Sequence, residues 1–405
     1  MKPFYSLPVF LILVLGVTLI TNAQEVVAQD KPLKVFILVG QSNMQGHARL
    51  HTLEHVGTRE NTKPIFELLT EPDGSPTIHK DVWINSLSSG EIRKGNLTAG
   101  FGANSEKIGP ELAFGATMQQ LVGEPILIIK TAWGGKSLHT DFRPPSADKF
   151  MFSDQQLERF RKQDKNIAEI RTEKHKASGK YYRLMLEHVR ATLDSIDSTY
   201  PDYDSDAGYE LAGMVWFQGW NDMVDSGVYP HRDQQGGYDQ YSLLLAEFIR
   251  DVRRDLNSPK LPFVIGVMGV GGPTSEYDKD QQRHKKVHQN FREAMVAPAK
   301  MPEFKGNVKA MLTETFWDQQ LGDLRARQAK IDREIRKARK ENDLDRDATQ
   351  ALREKLVAAE FSPEEKRELE MGVSNLEYHY LGSATILTQI GKGFAEAMNE
   401  LIEKP

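Results

Sequence analysis

The chain has 405 residues, 39% of them apolar and 27% charged, with a formal charge of −5. That length allows two or three domains, or one large α/β domain with insertions. The composition supports a buried core, and a mildly acidic balance offers no footprint for a nucleic-acid backbone. Cysteine is absent, which excludes disulfides, cysteine nucleophiles, thiolate zinc sites and iron–sulfur clusters.

The first segment reads as an address. Lys2 precedes an apolar run from Leu7 to Ile20, followed by Thr21, Asn22, Ala23 and Gln24. One cation, a run shorter than a membrane span and a small-residue cleavage site fit a signal peptide over residues 1–23. Residues 24–33 then form a short linker. The mature protein is expected to be exported, periplasmic or extracellular, with no stable membrane span after cleavage.

Beyond it, strand and helix patterns alternate. Lys34–Val39, Pro125–Lys130, Gly213–Phe217 and Pro262–Met268 are short apolar runs of the kind that form buried strands, and Val308–Leu312 is a weaker fifth. Between and after them lie helical patterns at Pro110–Leu121, Tyr181–Leu193, Tyr238–Leu256, Gln281–Met295 and Ser383–Leu401. Such alternation predicts a parallel sheet with helices on both faces. Ligands bind such sheets outside the carboxyl ends of the strands, so residues just after Val39, Lys130, Phe217 and Met268 should share one edge.

Two stretches interrupt the pattern. Leu138–Lys180 is polar and basic and reads as a long excursion near the sheet edge. Leu321–Glu370 is dense in charge, with one narrow apolar stripe through Leu321, Leu324, Ile331 and Ile335. It reads as a solvated helical hairpin at about 321–370, with a fresh helix start at Ser362-Pro363-Glu364-Glu365. A sharper reading makes it a lid or an oligomer contact.

The chemistry-bearing motif is Gly40-Gln41-Ser42-Asn43, directly after the first strand. A serine there is exposed at the binding edge, but it needs a base to act as a nucleophile; taken alone it is as readily a helix cap. His379 lies in a loop before the last helix. Gln218-Gly219-Trp220-Asn221-Asp222 leaves the Gly213–Phe217 strand and can offer a polar amide to the same edge. No G-x-S-x-G elbow surrounds Ser42, which argues against the α/β-hydrolase arrangement. The paired histidines His284/His288 and His51/His55 lack the glutamate of HExxH, so no metal site and no cofactor are expected.

Five segments in order, Phe36–Gln45 (FILVGQSNMQ), Ile108–Gly115 (IGPELAFG), Thr131–Ser137 (TAWGGKS), Met214–Asp222 (MVWFQGWND) and His379–Ala384 (HYLGSA), resemble the SGNH hydrolase superfamily. More narrowly, they look like its sialate O-acetylesterase-related branch and carbohydrate esterase family 6. The resemblance implies a flavodoxin-like three-layer α/β/α fold and metal-free hydrolysis of an ester, usually an acetyl group on a sugar. It assigns Ser42 as nucleophile and His379 as general base, with the oxyanion hole formed by Ser42, Gly109 and Gln218.

The pattern is broken at two points. The superfamily's Asp, three residues before the histidine, is Leu376 here. The third member is then Glu377, a backbone carbonyl, a distant acid such as Asp318, or nothing. Where many relatives carry Glu after Gln-Gly, this chain has Trp220, which weakens a sialic-acid assignment. Gln41, Asn43, Trp133, Trp220 and Asn221 are candidate substrate contacts, with Trp133, Trp220 and Trp317 able to offer flat faces to sugar rings or to serve as core. The leading expectation is an exported serine esterase acting on a carbohydrate ester. The alternatives are a non-catalytic carbohydrate-binding protein on the same scaffold, or an esterase for lipids.

Overall fold

In a computed structural model, Met1 and residues 31–403 are described. The expected signal segment and most of the linker lie outside them. Seven strands form one sheet: β1 (Leu33–Gly40), β2 (His79–Ser88), β3 (Glu91–Leu97), β4 (Ile126–Ala132), β5 (Tyr209–Phe217), β6 (Phe263–Val267) and β7 (Val308–Leu312). Their spatial order is β3-β2-β4-β1-β5-β6-β7. All neighbouring pairs are parallel except the β2–β3 hairpin. The five strands β4-β1-β5-β6-β7 carry the 2-1-3-4-5 order of the flavodoxin-like fold.

Why these segments pair so is plain in their composition. Val35 to Val39 are all buried, which suits a central strand covered on both faces. Period-2 alternation then sorts the side chains. Trp216 packs on Phe248 on one side, while Phe217 packs on Phe394 on the other. Phe248 belongs to α4 (Asp239–Asp255), which shares its layer with α3 (Lys180–Asp194) and α5 (Lys285–Val296). Phe394 belongs to α9 (Ala384–Ile402), which packs along α2 (Pro110–Val122). Each large apolar side chain buried in this way contributes about 1.5–3 kcal/mol.

The five expected strands and five expected helices are present, within a few residues of their predicted bounds. The β2–β3 hairpin is an addition. Its turn, Ser89-Gly90, has both residues at positive φ, the backbone of a tight hairpin turn. The excursion after Leu138 contains two further helices, Asp154–Lys162 and Ile167–Ala177.

The charged stretch folds as a helical hairpin of α6 (Gln319–Asn342) and α7 (Arg346–Glu360), followed by a third helix, α8 (Pro363–Gly372). Ser362 and Glu365 form a capping box at the start of α8. Leu324, Ile331, Ile335, Phe361 and Leu369 make a small core of their own. The unit is tied to the main domain through Arg59, which pairs with Asp318 and Glu368, and through His55, whose ring nitrogens bond Thr385 and Glu368. Among the described residues no helix is long and apolar enough to cross a membrane.

Candidate active site

The register of the central strands creates the site. Gly40 aligns with Ala132 of β4 and with Phe217 of β5. Three strands therefore end at one level, and the residues that follow them, Ser42, Gly134 and Asn221, leave the sheet at the same edge. The Trp133 N–H donates to Gly40 O at 3.2 Å, and the Gln41 N–H to Phe217 O at 3.3 Å.

Ser42 opens the four-residue turn α1 (Ser42–Gln45) and retains 7% exposure. As the first residue of a helical turn, its N–H has no intrahelical acceptor. Gln41, a candidate substrate contact, is fully buried and braces the edge instead. Its Oε1 accepts from Gln218 Nε2 at 3.2 Å, Gly219 N at 3.1 Å and Asn221 N at 3.4 Å. Asn43 is likewise buried, with its amide against Met268 Sδ. Neither side chain is placed to meet a substrate.

Two of the expected oxyanion donors are already engaged. The Gly109 N–H donates to Glu111 Oε1 at 2.8 Å. Glu111 Oε2 accepts from Lys130 Nζ at 2.7 Å, and the same ammonium reaches Gln45 O and Phe101 O, both at 2.8 Å. This ion pair is fully buried; burial pushes the Lys130 ammonium down, and the Glu111 charge opposes that. A Cβ on Gly46, which has φ +89, would sit 2.1 Å from Gly109 Cα. Gly109 therefore lets the exit of the Ser42 turn pass closely, and its N–H is spent.

Gln218 is fully buried. Besides Gln41, its Nε2 donates to Lys136 O at 2.9 Å and Asp222 Oδ2 at 2.6 Å, while its Oε1 accepts from Tyr241 at 3.2 Å. Asp222, pushed up by burial, also accepts from the N–H groups of Leu138 and His139. Gln218 and Asp222 thus lock the loop after β4 to the loop after β5.

Donors with free capacity lie at neighbouring positions. Gly134 and Gly135 follow β4 and are exposed. Among the described residues their N–H groups bond no acceptor. Gly135 has φ +72, a conformation that suits glycine. Gly134 faces the Ser42 turn, since a Cβ there would lie 3.1 Å from Gln45 Oε1. Asn221 is half-buried, and its side-chain amide bonds nothing else among the described residues. The strand-end rule stated above points to these positions; matching by motif alone led to Gly109 and Gln218.

His379 comes from the other end of the chain. Its loop, Glu377–Gly382, packs against both α1 and the short strand Ala48–Arg49. Tyr380 and Leu381 adopt left-handed backbone at φ 51 and 62, which costs of order 1–3 kcal/mol each. Several contacts hold the loop there. The buried Tyr380 hydroxyl accepts from the Gly269 N–H at 2.8 Å and bonds Thr313 at 2.6 Å, and the N–H groups of Ser374 and Asn375 both bond Leu381 O.

The third member differs from the leading expectation. His379 Nδ1 lies 3.1 Å from Asn375 Oδ1. That atom also accepts the Leu376 N–H at 2.8 Å, which identifies it as the oxygen. Nδ1 therefore carries the proton and Nε2 is left as the acceptor. Glu377, the expected acid, is half-buried and faces Arg325 at 3.8 Å. Asp318 caps α6 and pairs with Arg59. Burial and the nearby Lys107 charge push the His379 imidazole down to about 4, so the ring is neutral near pH 7.

An aromatic row borders His379. The His47 ring stacks on His379 with centroids 4.1 Å apart and planes 5° apart. Tyr378 meets His379 edge-on at 4.4 Å, and Trp220 lies 5.7 Å from Tyr378. Trp220 is half-buried and is placed to offer a face at the site. Trp133 is buried against Phe142 and Tyr181 and belongs to the core. Trp317, half-buried, packs near Tyr380.

Comparison with known proteins bears on this arrangement. Among solved structures, a protein from Arabidopsis thaliana is 17% identical with a TM-score of 0.39, the match covering 70% of this chain and 86% of that one. A carbohydrate acetylesterase from Xanthomonas citri is 13% identical with a TM-score of 0.36, covering 69% of this chain and 49% of that one. No curated protein matches. The family described as carbohydrate esterase, sialic acid-specific acetylesterase matches residues 32–328, which includes Ser42, Gly134, Gly135 and Asn221 and stops short of His379. A match over most of the chain, on a flavodoxin-like sheet with a serine at its carboxyl edge, shows that the chain belongs to this carbohydrate esterase family and is a carboxylic ester hydrolase.

Proposed function

We propose that the protein removes O-acetyl groups from carbohydrate by a serine–histidine mechanism oriented by an asparagine. One observation carries this reading: the turn bearing Ser42 packs against the loop bearing His379, whose Nδ1 is fixed on Asn375 and whose Nε2 is left as a base. Ser42 Oγ attacks the acyl carbon and His379 Nε2 takes the hydroxyl proton. The developing oxyanion is met by the Ser42 N–H, an N–H at Gly134 or Gly135, and the Asn221 side-chain amide. Each such donor is worth about 3–4 kcal/mol in the transition state.

Collapse of the intermediate expels the sugar hydroxyl, which takes the proton from His379. Water, deprotonated by the same imidazole, then attacks the acyl-serine; acetate leaves and Ser42 recovers its proton. The neutral Asn375 orients the ring without raising its basicity, as in Cys-His-Asn sites. Trp220 supplies an apolar face for a sugar ring. The leader pattern of residues 1–23 supports export, which would place the enzyme with extracellular or periplasmic glycans.

The test is release of acetate from an acetylated oligosaccharide, and of 4-nitrophenol from its acetate ester, by the mature protein. Wild type is expected to turn over both and to be labelled at Ser42 by a fluorophosphonate. Equal rates for wild type and Ser42→Ala would overturn the mechanism. Sugar binding without labelling would favour a binding protein on the same scaffold.

A further inference from the structure

Helix α6 begins at the carboxyl edge of the sheet and runs away from it. Near its start, Arg325 lies 3.8 Å from Glu377, two residues before His379. Its apolar stripe, Leu324, Ile331 and Ile335, is buried in the small core shared with Phe361 and Leu369. At 100° per residue, the opposite side carries Lys330, Arg333, Arg336, Lys337 and Lys340 within an arc of about 120°. All five are exposed.

No acidic residue falls inside that arc; Asp323, Glu334 and Glu341 line one side of it. Lys337 approaches Glu341 at 4.0 Å. Among the described residues the other four cations have no ion-pair partner. Elsewhere on the same unit some cations are paired at short range: Arg327 with Glu360 and Glu365, and Arg353 with Asp332. The cationic side thus gathers five exposed cations with a single distant acidic partner among them, on a chain of net charge −5.

We infer that this stripe is a docking surface for an anionic polysaccharide, holding carboxylate-bearing sugars of the polymer whose acetyl groups reach Ser42. The inference rests on the esterase reading for its carbohydrate, and on charge complementarity for its anion. With a rise of 1.5 Å per residue, the stripe starts about 8 Å along the helix from Arg325 and extends for about 15 Å more, the reach of a polymer rather than of one sugar. A membrane surface fits poorly, because the apolar side of α6 is already buried. A nucleic acid fits poorly too, because no aromatic residue stands among the cations for bases to stack on.

The test is affinity electrophoresis of the mature protein through polygalacturonate and through uncharged dextran, with a DNA oligonucleotide and anionic phosphatidylserine vesicles as further arms. Wild type should be retarded by polygalacturonate alone, and less so as salt rises from 50 to 500 mM. The triple substitution Arg333→Gln, Lys337→Gln, Lys340→Gln should weaken that retention at least tenfold, while thermal melting and hydrolysis of 4-nitrophenyl acetate stay at wild-type values. Lack of retention of wild type, equal retention of the variant, or tighter binding to DNA or vesicles would overturn the inference. Retention without any esterase activity would overturn the esterase reading and leave the docking surface standing.

Discussion

The turn that carries Ser42 and the loop that carries His379 meet at one edge, yet they are held in different ways. The Ser42 turn is an outgrowth of the sheet. Gly40 is in register with β4 and β5, Gln41 is bonded into the loop after β5, and Lys130 holds Gln45 from below. The His379 loop has no strand behind it. It is pinned through Tyr380 to the ends of β6 and β7, stacked on His47, and bent through two left-handed residues. A serine set by strand register inherits the rigidity of the whole core. A histidine set by side-chain pins can be moved by changing a single one of them.

The largest test of that contrast removes the two groups proposed to react. Ser42→Ala and His379→Ala should each lower kcat by about 10⁴–10⁶-fold, and the double variant should lose little more than either alone, since the two act as a unit. Next in size, Asn221→Ala should lower kcat by about 10²–10³-fold with little change in KM. Gln218→Ala should behave differently. It removes one buried partner from each of Asp222 and Gln41 and the link to Lys136 O, so unfolding free energy should fall by about 1–3 kcal/mol. Urea melts and steady-state kinetics on the two variants distinguish a donor to the oxyanion from a brace. A stable but inactive Gln218→Ala protein would reverse the assignment.

The sheet-borne half of the site was the more legible in sequence. Val35–Val39 and Ile126–Lys130 are apolar runs that can only be buried strands, and the strand-end rule puts Ser42, Gly134 and Asn221 on one edge. Gly109 and Gln218 misled because glycine and glutamine in a matching motif do not reveal whether their N–H groups are already spent; only Glu111 and Asp222, brought close by folding, decide that. Asn375 was hidden for a related reason. It lies four residues before His379 and reaches the ring only because Tyr380 and Leu381 turn the loop back on itself. The β2–β3 hairpin escaped notice because its strands mix polar and apolar residues, the pattern of an edge.

Asn375→Asp probes the pinned half directly. A carboxylate beside Nδ1 favours the imidazolium, so the His379 imidazole should rise from about 4. The acid limb of kcat/KM should move up by about 1–3 pH units. Near pH 5 the variant should be slower than wild type, because its base is protonated there; near pH 8 it should match or exceed wild type. An unchanged acid limb would mean that Asn375 does not govern the ring. Stability carries the same sign: with its folded value below the ordinary 6.5, wild-type His379 contributes a loss of stability as pH falls from 6.5 toward 4, and Asn375→Asp should reduce that loss.

The smallest expected effect is at Glu377, the first of the alternatives for the acid that the family spacing places at Leu376. Its carboxylate is part-exposed and lies 3.8 Å from Arg325, beyond hydrogen-bond distance, and such a loose pair contributes about 0–1 kcal/mol. Glu377→Gln should therefore change kcat/KM less than threefold and leave the acid limb in place. The comparison with Asn375→Asp is what gives the small number meaning. Both substitutions alter one carboxyl or amide near the same imidazole, but only Asn375 bonds the ring. A shifted acid limb in Glu377→Gln, with none in Asn375→Asp, would require the loop to rearrange so that Glu377 reaches Nδ1 when substrate binds, and would make the pinned half of the site a moving part.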